Sequence, residues 1–142
     1  MADMDQRISL ITLAVHDVGA SRAFYCDRLG WEEFLFVPGD VCMIRAGDHL
    51  IFSLWDETHF EAEIGRPVRR GDGVAPLTLA HNVATRAAVD EVLEEARAAG
   101  ADPVSPAVER EWGGYSGYFA DPDGYRWEVA HAPGQIAEVV LP

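Results

Sequence analysis

Glu128 is the first side chain in this sequence to weigh for chemistry. It lies in the apolar and aromatic segment at residues 125–131, and it is read as the one charged residue there that faces inward. A carboxylate in such a place can anchor a cation, accept from a hydroxyl, or exchange a proton. If it is buried without a cation, its pKa should rise. General acid–base work needs a second group, and the sequence shows none beside it. The histidines do not converge on it. His131 is three residues on and points to the other face of the strand; His16 and His81 end other strands; His49 and His59 fall near a turn and in a polar stretch. Cys26 sits in a helical pattern with no adjacent histidine. It and Cys42 lack CxxC or zinc spacing, so both are read as reduced core thiols. Neither GxSxG nor a phosphate-binding glycine loop is present, and Gly113-Gly114 precedes a strand rather than a helix. Aromatic surface is plentiful: Trp55, Trp112, Tyr115 and Tyr118 could hold a planar or cationic ligand at about 0.5–2 kcal/mol per good contact. Packing at a core or rim would serve the same rings equally well.

These residues must be positioned by the elements around them. Residues 115–120 and 125–131 read as two strands of a hairpin, joined by Asp121-Pro122-Asp123-Gly124. There proline presets φ, aspartate bonds its own backbone and glycine accepts a positive φ. The first half of the chain opens with a strand at residues 8–15. A helix at residues 18–29 follows, capped by Asp17 and stopped by Gly30, and then strands at 31–37, 41–46 and 49–55. The second half repeats this order: a strand at 75–82, a helix from Arg86 to residue 99 capped by Thr85, a proline-broken strand near 103–107, and the hairpin. Ile11-Thr12-Leu13-Ala14 matches Leu77-Thr78-Leu79-Ala80, which supports an internal duplication.

The expected fold class is α+β, with two paired βαβββ modules forming curved mixed sheets around a cleft. Residues 1–55 form the first module, 56–74 a polar linker or flap without periodicity, and 75–133 the second module. Residues 134–142 form a tail expected to add an edge strand or a partner contact. Side chains alternate across strands. Ile11, Leu13 and Val15 should therefore meet the helix, while Leu10, Thr12 and Ala14 in one module and Pro76, Thr78 and Ala80 in the other line the hollow.

At 142 residues the chain fits one domain or two small modules. A net charge of −13 repels nucleic acid phosphates; it serves solubility or the capture of cationic partners. No apolar run approaches the ~18 residues of a membrane span. The residues MADMDQR lack the basic and apolar regions of an export signal, so a cytoplasmic protein without nucleic-acid or membrane partners is expected.

The paired pattern, the opening ITLAVHDVGASRAFYCDRLG and the closing GYFADPDGYRWEVAHAP resemble the vicinal oxygen chelate superfamily. Glyoxalase I, extradiol dioxygenases, fosfomycin-modifying enzymes and bleomycin-binding resistance proteins belong to it. The resemblance implies one divalent metal, held by His, Glu or Gln from the opening and closing strands and acting as a Lewis acid. At the implied positions this chain has Leu10, Pro76 and Ser53, with Trp55 on the face of Ser53; only the fourth is filled, by Glu128. The reading is therefore a small-molecule-binding protein of the bleomycin-resistance type, without metal or other cofactor, that sequesters an aromatic or cationic compound. Thr12, Ser53, Thr78 and Glu128 would anchor the compound. Trp55, Trp112 and Tyr115 would stack on it, with Tyr118 at the cleft entrance. A homodimer is expected by the same resemblance, with pairing of modules within or between chains left open. The alternatives are a metal-dependent glyoxalase-type lyase or dioxygenase, and a metal-independent natural-product enzyme using Glu128.

Overall fold

A computed structural model of the chain describes residues 4–69 and 71–142. It divides into two units, Met1–Arg70 and Gly71–Pro142, each built on one four-stranded mixed sheet. The α+β class and the repeated strand order agree with the sequence reading.

The first unit runs β1 (Leu10–Val15), α1 (Val18–Arg22), β2 (Glu33–Val37), β3 (Val41–Arg45), β4 (Ile51–Asp56) and α2 (Glu57–Ile64). Its sheet is ordered β1-β4-β3-β2, with β1 parallel to β4 and the other pairs antiparallel. The Asp17 carboxylate accepts from the Ala20 N–H at 3.1 Å and so starts α1. The helix then widens into a π-helical segment over Ala23–Arg28, whose Leu29 N–H donates to the Phe24 carbonyl at 3.0 Å. This wide turn buries two consecutive rings, Phe24 and Tyr25. Tyr25 stacks on Trp31 and meets Phe24 and Phe52 edge-on. Beneath the helix lie Val15, Cys42, Ile44, Phe52 and Leu54, all buried. Arg22 closes the margin, bonding Glu33 at 2.8 Å with its guanidinium over the Phe36 ring.

The stretch read as a linker without periodicity differs from expectation in its first half, which forms α2. The Asp56 carboxylate accepts from the Thr58 and His59 N–H groups, and Gly65, at φ 83°, ends the helix. None of its residues is fully buried, so no apolar stripe betrays it in the sequence.

The second unit runs β5 (Thr78–Asn82), α3 (Arg86–Ala98), β6 (Val104–Glu109), β7 (Tyr115–Ala120), β8 (Arg126–His131) and α4 (Gln135–Val140). Its sheet order, β5-β8-β7-β6, repeats that of the first unit, and β5 is parallel to β8. Thr85 caps α3 through the Ala88 N–H at 3.1 Å, and Val89, Leu93 and Ala96 bury its inner stripe. Gly117 in β7 leaves room for that helix: a Cβ there would lie 2.6 Å from both Leu93 Cδ1 and the Ser105 carbonyl oxygen. The β7–β8 turn closes on Asp121, whose buried carboxylate accepts from the Asp123 and Tyr125 N–H groups at 3.0 and 2.9 Å. The tail also corrects the expectation. After Gly134, at φ 81°, it coils into α4 with Ile136 and Val139 exposed, instead of adding a strand. Among the described residues no helix is long and apolar enough to cross a membrane.

Candidate functional site

In the second unit, α3 covers one face of the sheet and leaves the other for chemistry. A single cross-strand row on the open face holds Ala80, Glu128, Tyr118 and Ser105. The Tyr118 hydroxyl donates to Glu128 Oε2 at 2.9 Å. Burial pushes the Tyr118 phenol above its ordinary pKa, and the bond to Glu128 and its negative charge push the same way, against the lowering effect of Arg110. The phenol is thus a neutral donor at physiological pH, set against the carboxylate. Arg110 lies over the Tyr118 ring, 5.7 Å from its centre, and is held by Ser116 through Nε to Oγ at 2.9 Å and Nη2 to the carbonyl at 2.9 Å. Arg126 shares the face of Glu128, two residues before it, and donates to the Gly124 carbonyl at 3.0 Å. Glu128 is therefore not the one charged residue of its strand on this face. A parity count that admits Glu128 admits Arg126 as well.

The hydroxyl on Glu128 is that of Tyr118; Thr78 is exposed and pairs with Arg126 across the ladder. This pairing had a signal in the sequence. The hairpin is symmetric about Asp123, so counting outward from the turn sets Tyr118 opposite Glu128. Tyr115 departs from its expected place beside Tyr118. Three residues away on a strand, it lies on the α3 face, donates to Asp90 at 2.7 Å and carries the Arg86 guanidinium 5.0 Å from its ring centre. Trp112 precedes β7, and its ring covers Gly114, where a Cβ would lie 1.8 Å from Trp112 Cζ3.

On the open face of the first unit, Thr12, Ser53, Met43 and Leu35 share one row, and Ala14, Trp55, Val41 and Val37 the next. Ser53 is buried and Thr12 exposed. The Trp55 indole N–H donates to Asp40 Oδ1 at 3.1 Å, and His59 Nδ1 sits 2.8 Å from the same oxygen. Phe60 of α2 meets the Trp55 ring edge-on. Register also settles which residue answers to Glu128. Ala80 pairs with Glu128 and Ala14 with Trp55, so Trp55, rather than Ser53, is the counterpart in the first unit.

A divalent metal does not fit these donors. Leu10 and Pro76 have no ligating atom, the counterpart of Glu128 is an indole, and two guanidinium groups share the face with the carboxylate. Among the described residues no three His, Cys, Asp or Glu side chains gather as a metal site. His131 is near the Val83 carbonyl, on the α3 face, as its spacing from Glu128 requires. The cysteines are free, and burial is the main cause that pushes the Cys26 thiol up to about 12, out of nucleophilic range.

A family model described as the Glyoxalase/Bleomycin resistance protein/Dioxygenase superfamily matches residues 7–129. A glyoxalase-related enzyme from Fulvimarina pelagi is 32% identical, with 90% of this chain and 89% of that chain covered and a TM-score of 0.81. A glyoxalase/bleomycin resistance protein/dioxygenase from Nocardioides is 26% identical over 94% and 91%, with a TM-score of 0.77. A lactoylglutathione lyase from Agrobacterium tumefaciens is 27% identical over 92% and 96%, with a TM-score of 0.69. A comparison with curated proteins finds no match.

Proposed function

The chain belongs to the Glyoxalase/Bleomycin resistance protein/Dioxygenase superfamily, and from that premise we propose that it binds a small aromatic molecule against its open sheet faces without using a metal. The observation that carries this reading is the bond from Tyr118 to Glu128: the one family ligand position with a suitable atom is engaged by a neutral phenol. Such a pair offers a ligand one acceptor and one donor beside an aromatic face. On the open face of the first unit, taken by itself, Trp55 offers a ring whose N–H is engaged by Asp40. Binding of this kind would sequester a compound, as in the resistance-type members of the family. Arg110 and Arg126 weigh against a cationic compound and toward a neutral or mildly polar one.

A second reading has an observation of its own. Tyr118 supplies the partner that Glu128 lacked in the sequence, and a carboxylate with a phenol 2.9 Å away has the second group that acid–base work needs. Metal-independent proton transfer on a bound compound would then replace retention. A lyase activity like that named for the Agrobacterium relative would need donors that Leu10, Pro76 and Trp55 do not provide.

The test is a thermal-shift screen of aromatic natural products and of divalent metals, with product analysis of every hit. A compound that raises the melting temperature and is recovered unchanged supports sequestration, since a native-state ligand stabilises by mass action. Recovery as product supports the second reading. Stabilisation by a metal alone, lost in Glu128→Gln, would overturn both.

A further inference from the structure

The row of the first sheet next to Thr12 and Ser53 runs Leu10, Ile51 and Arg45 across three strands. Beside it, the register between β2 and β3 shifts at Glu33/Leu35, and this bulge turns Phe34 outward, 60% exposed. The β3–β4 turn brings Asp48 and His49 to the same end. Together these residues enclose a cavity of about 300 Å³ that lies wholly within the first unit. Its volume is at the small end of the range for ligand sites, enough for one ring and a short polar group.

The lining is apolar on its floor, through Leu10, Ile51 and Phe34, and carries Arg45, Asp48 and His49 at its rim. The chain contains no lysine, so every fixed cation is a guanidinium. Arg7, Arg22, Arg86 and Arg97 all have carboxylate partners. Arg45 has none among the described residues, even with Asp48 on the same rim. Beside an apolar hollow, in a chain of net charge −13, the Arg45 guanidinium can offer its donor fork to an anion. A guanidinium binds a carboxylate through two parallel hydrogen bonds, a geometry that a neutral amide does not match in charge.

We propose that this cavity is a binding site for a small aromatic monocarboxylate, with its ring against Phe34, Leu10 and Ile51 and its carboxylate on Arg45. The site needs neither Glu128 nor Tyr118, but it lies on the open face of the first unit and so deepens the reading given above, from which the Glu128→Gln comparison separates it.

The experiment is titration of the full chain with benzoate, followed by NMR or calorimetry, with benzamide and benzylamine as the charge series. Arg45→Met keeps the length of the side chain and removes its charge, and Arg66→Met removes a charge elsewhere in the same unit. The expected result is saturable binding of benzoate, weakened at least tenfold in Arg45→Met and by added salt, unchanged in Arg66→Met, with benzamide and benzylamine weaker. Leu10→Trp should fill the hollow and abolish binding while the melting temperature shows the chain still folded. No saturable binding at millimolar benzoate, equal binding of benzamide, or equal loss in the two arginine variants would each overturn the proposal. Loss in Glu128→Gln with retention in Arg45→Met would place the ligand in the second unit and overturn it as well.

Discussion

Two glycines of the second unit offer a pair of substitutions whose costs run opposite to their contact distances. At Gly114 an added methyl would meet Trp112 ring atoms at 1.8, 2.0 and 2.7 Å; at Gly117 it would meet Leu93 Cδ1 and the Ser105 oxygen at 2.6 Å and the Ala107 nitrogen at 2.9 Å. Neither glycine has a positive φ, so alanine suits the backbone at both, and the loss of unfolded-chain freedom favours it by about 0.4–1 kcal/mol. The difference lies in what must move. Trp112 is 54% exposed and can swing into solvent, whereas two of the three obstacles at Gly117 are backbone atoms of β6, the Ser105 oxygen of a residue paired with Tyr118 and the Ala107 nitrogen in the irregularity before Val108. Overpacking of a fixed site costs roughly 1–3 kcal/mol. Gly117→Ala should then lose about 1–2 kcal/mol net, a fall of roughly 3–8 °C for a chain of this size. Gly114→Ala should stay within about 0.5 kcal/mol of the parent. Urea unfolding followed by far-ultraviolet circular dichroism measures both. Acrylamide quenching should show a more exposed tryptophan in Gly114→Ala alone. If Gly114→Ala proves the more destabilised of the two, the reasoning from mobility of the obstacle is wrong.

Three further outcomes are expected. Asp121→Ala removes the acceptor of two N–H groups in the β7–β8 turn and should cost about 1–3 kcal/mol; a stability within error of the parent would show that water replaces the carboxylate. Tyr118 holds its proton more tightly folded than unfolded, so its contribution to stability is complete below the ordinary value of 10.0 and is lost as pH rises through the raised one. In an absorbance titration of tyrosinate, Tyr118→Phe should remove one late-ionising phenol and Glu128→Gln should move that transition down; an unmoved curve in both contradicts the assignment. Cys26, half-buried and with its thiol pushed up to about 12, should resist alkylation at mildly alkaline pH until the chain is unfolded in urea, and rapid labelling of the native protein would count against the raised value.

Much of the fold was legible because strand parity, turn chemistry and helix caps act locally. The hairpin around Asp121, the Thr85 cap and the repeated order of elements needed only neighbours in sequence. What escaped depended on contacts without a period. Helix α2 buries no stripe and is specified by two end signals, the Asp56 carboxylate and Gly65. At the site, Glu128 was legible as an inward carboxylate, but its phenol partner required the register of β7 on β8, and Arg126 required the same parity rule applied without favour. Tyr115 was misplaced because clustering of aromatic letters was read as clustering in space, although an odd separation along a strand sends two rings to opposite faces. The match of Trp55 to Glu128 required the parallel pairing of β1 with β4 and of β5 with β8, which joins residues distant in sequence.

The broadened coil between Phe24 and Leu29 also fixes the length of the chain at that place. Dropping a single residue there would restore ordinary helical pitch, but the rotation would carry either Phe24 or Tyr25 out of the interior and open a void against Phe52 and Trp31. Insertions and deletions in descendants of this sequence should accordingly be barred from the first helix and accumulate in the turns.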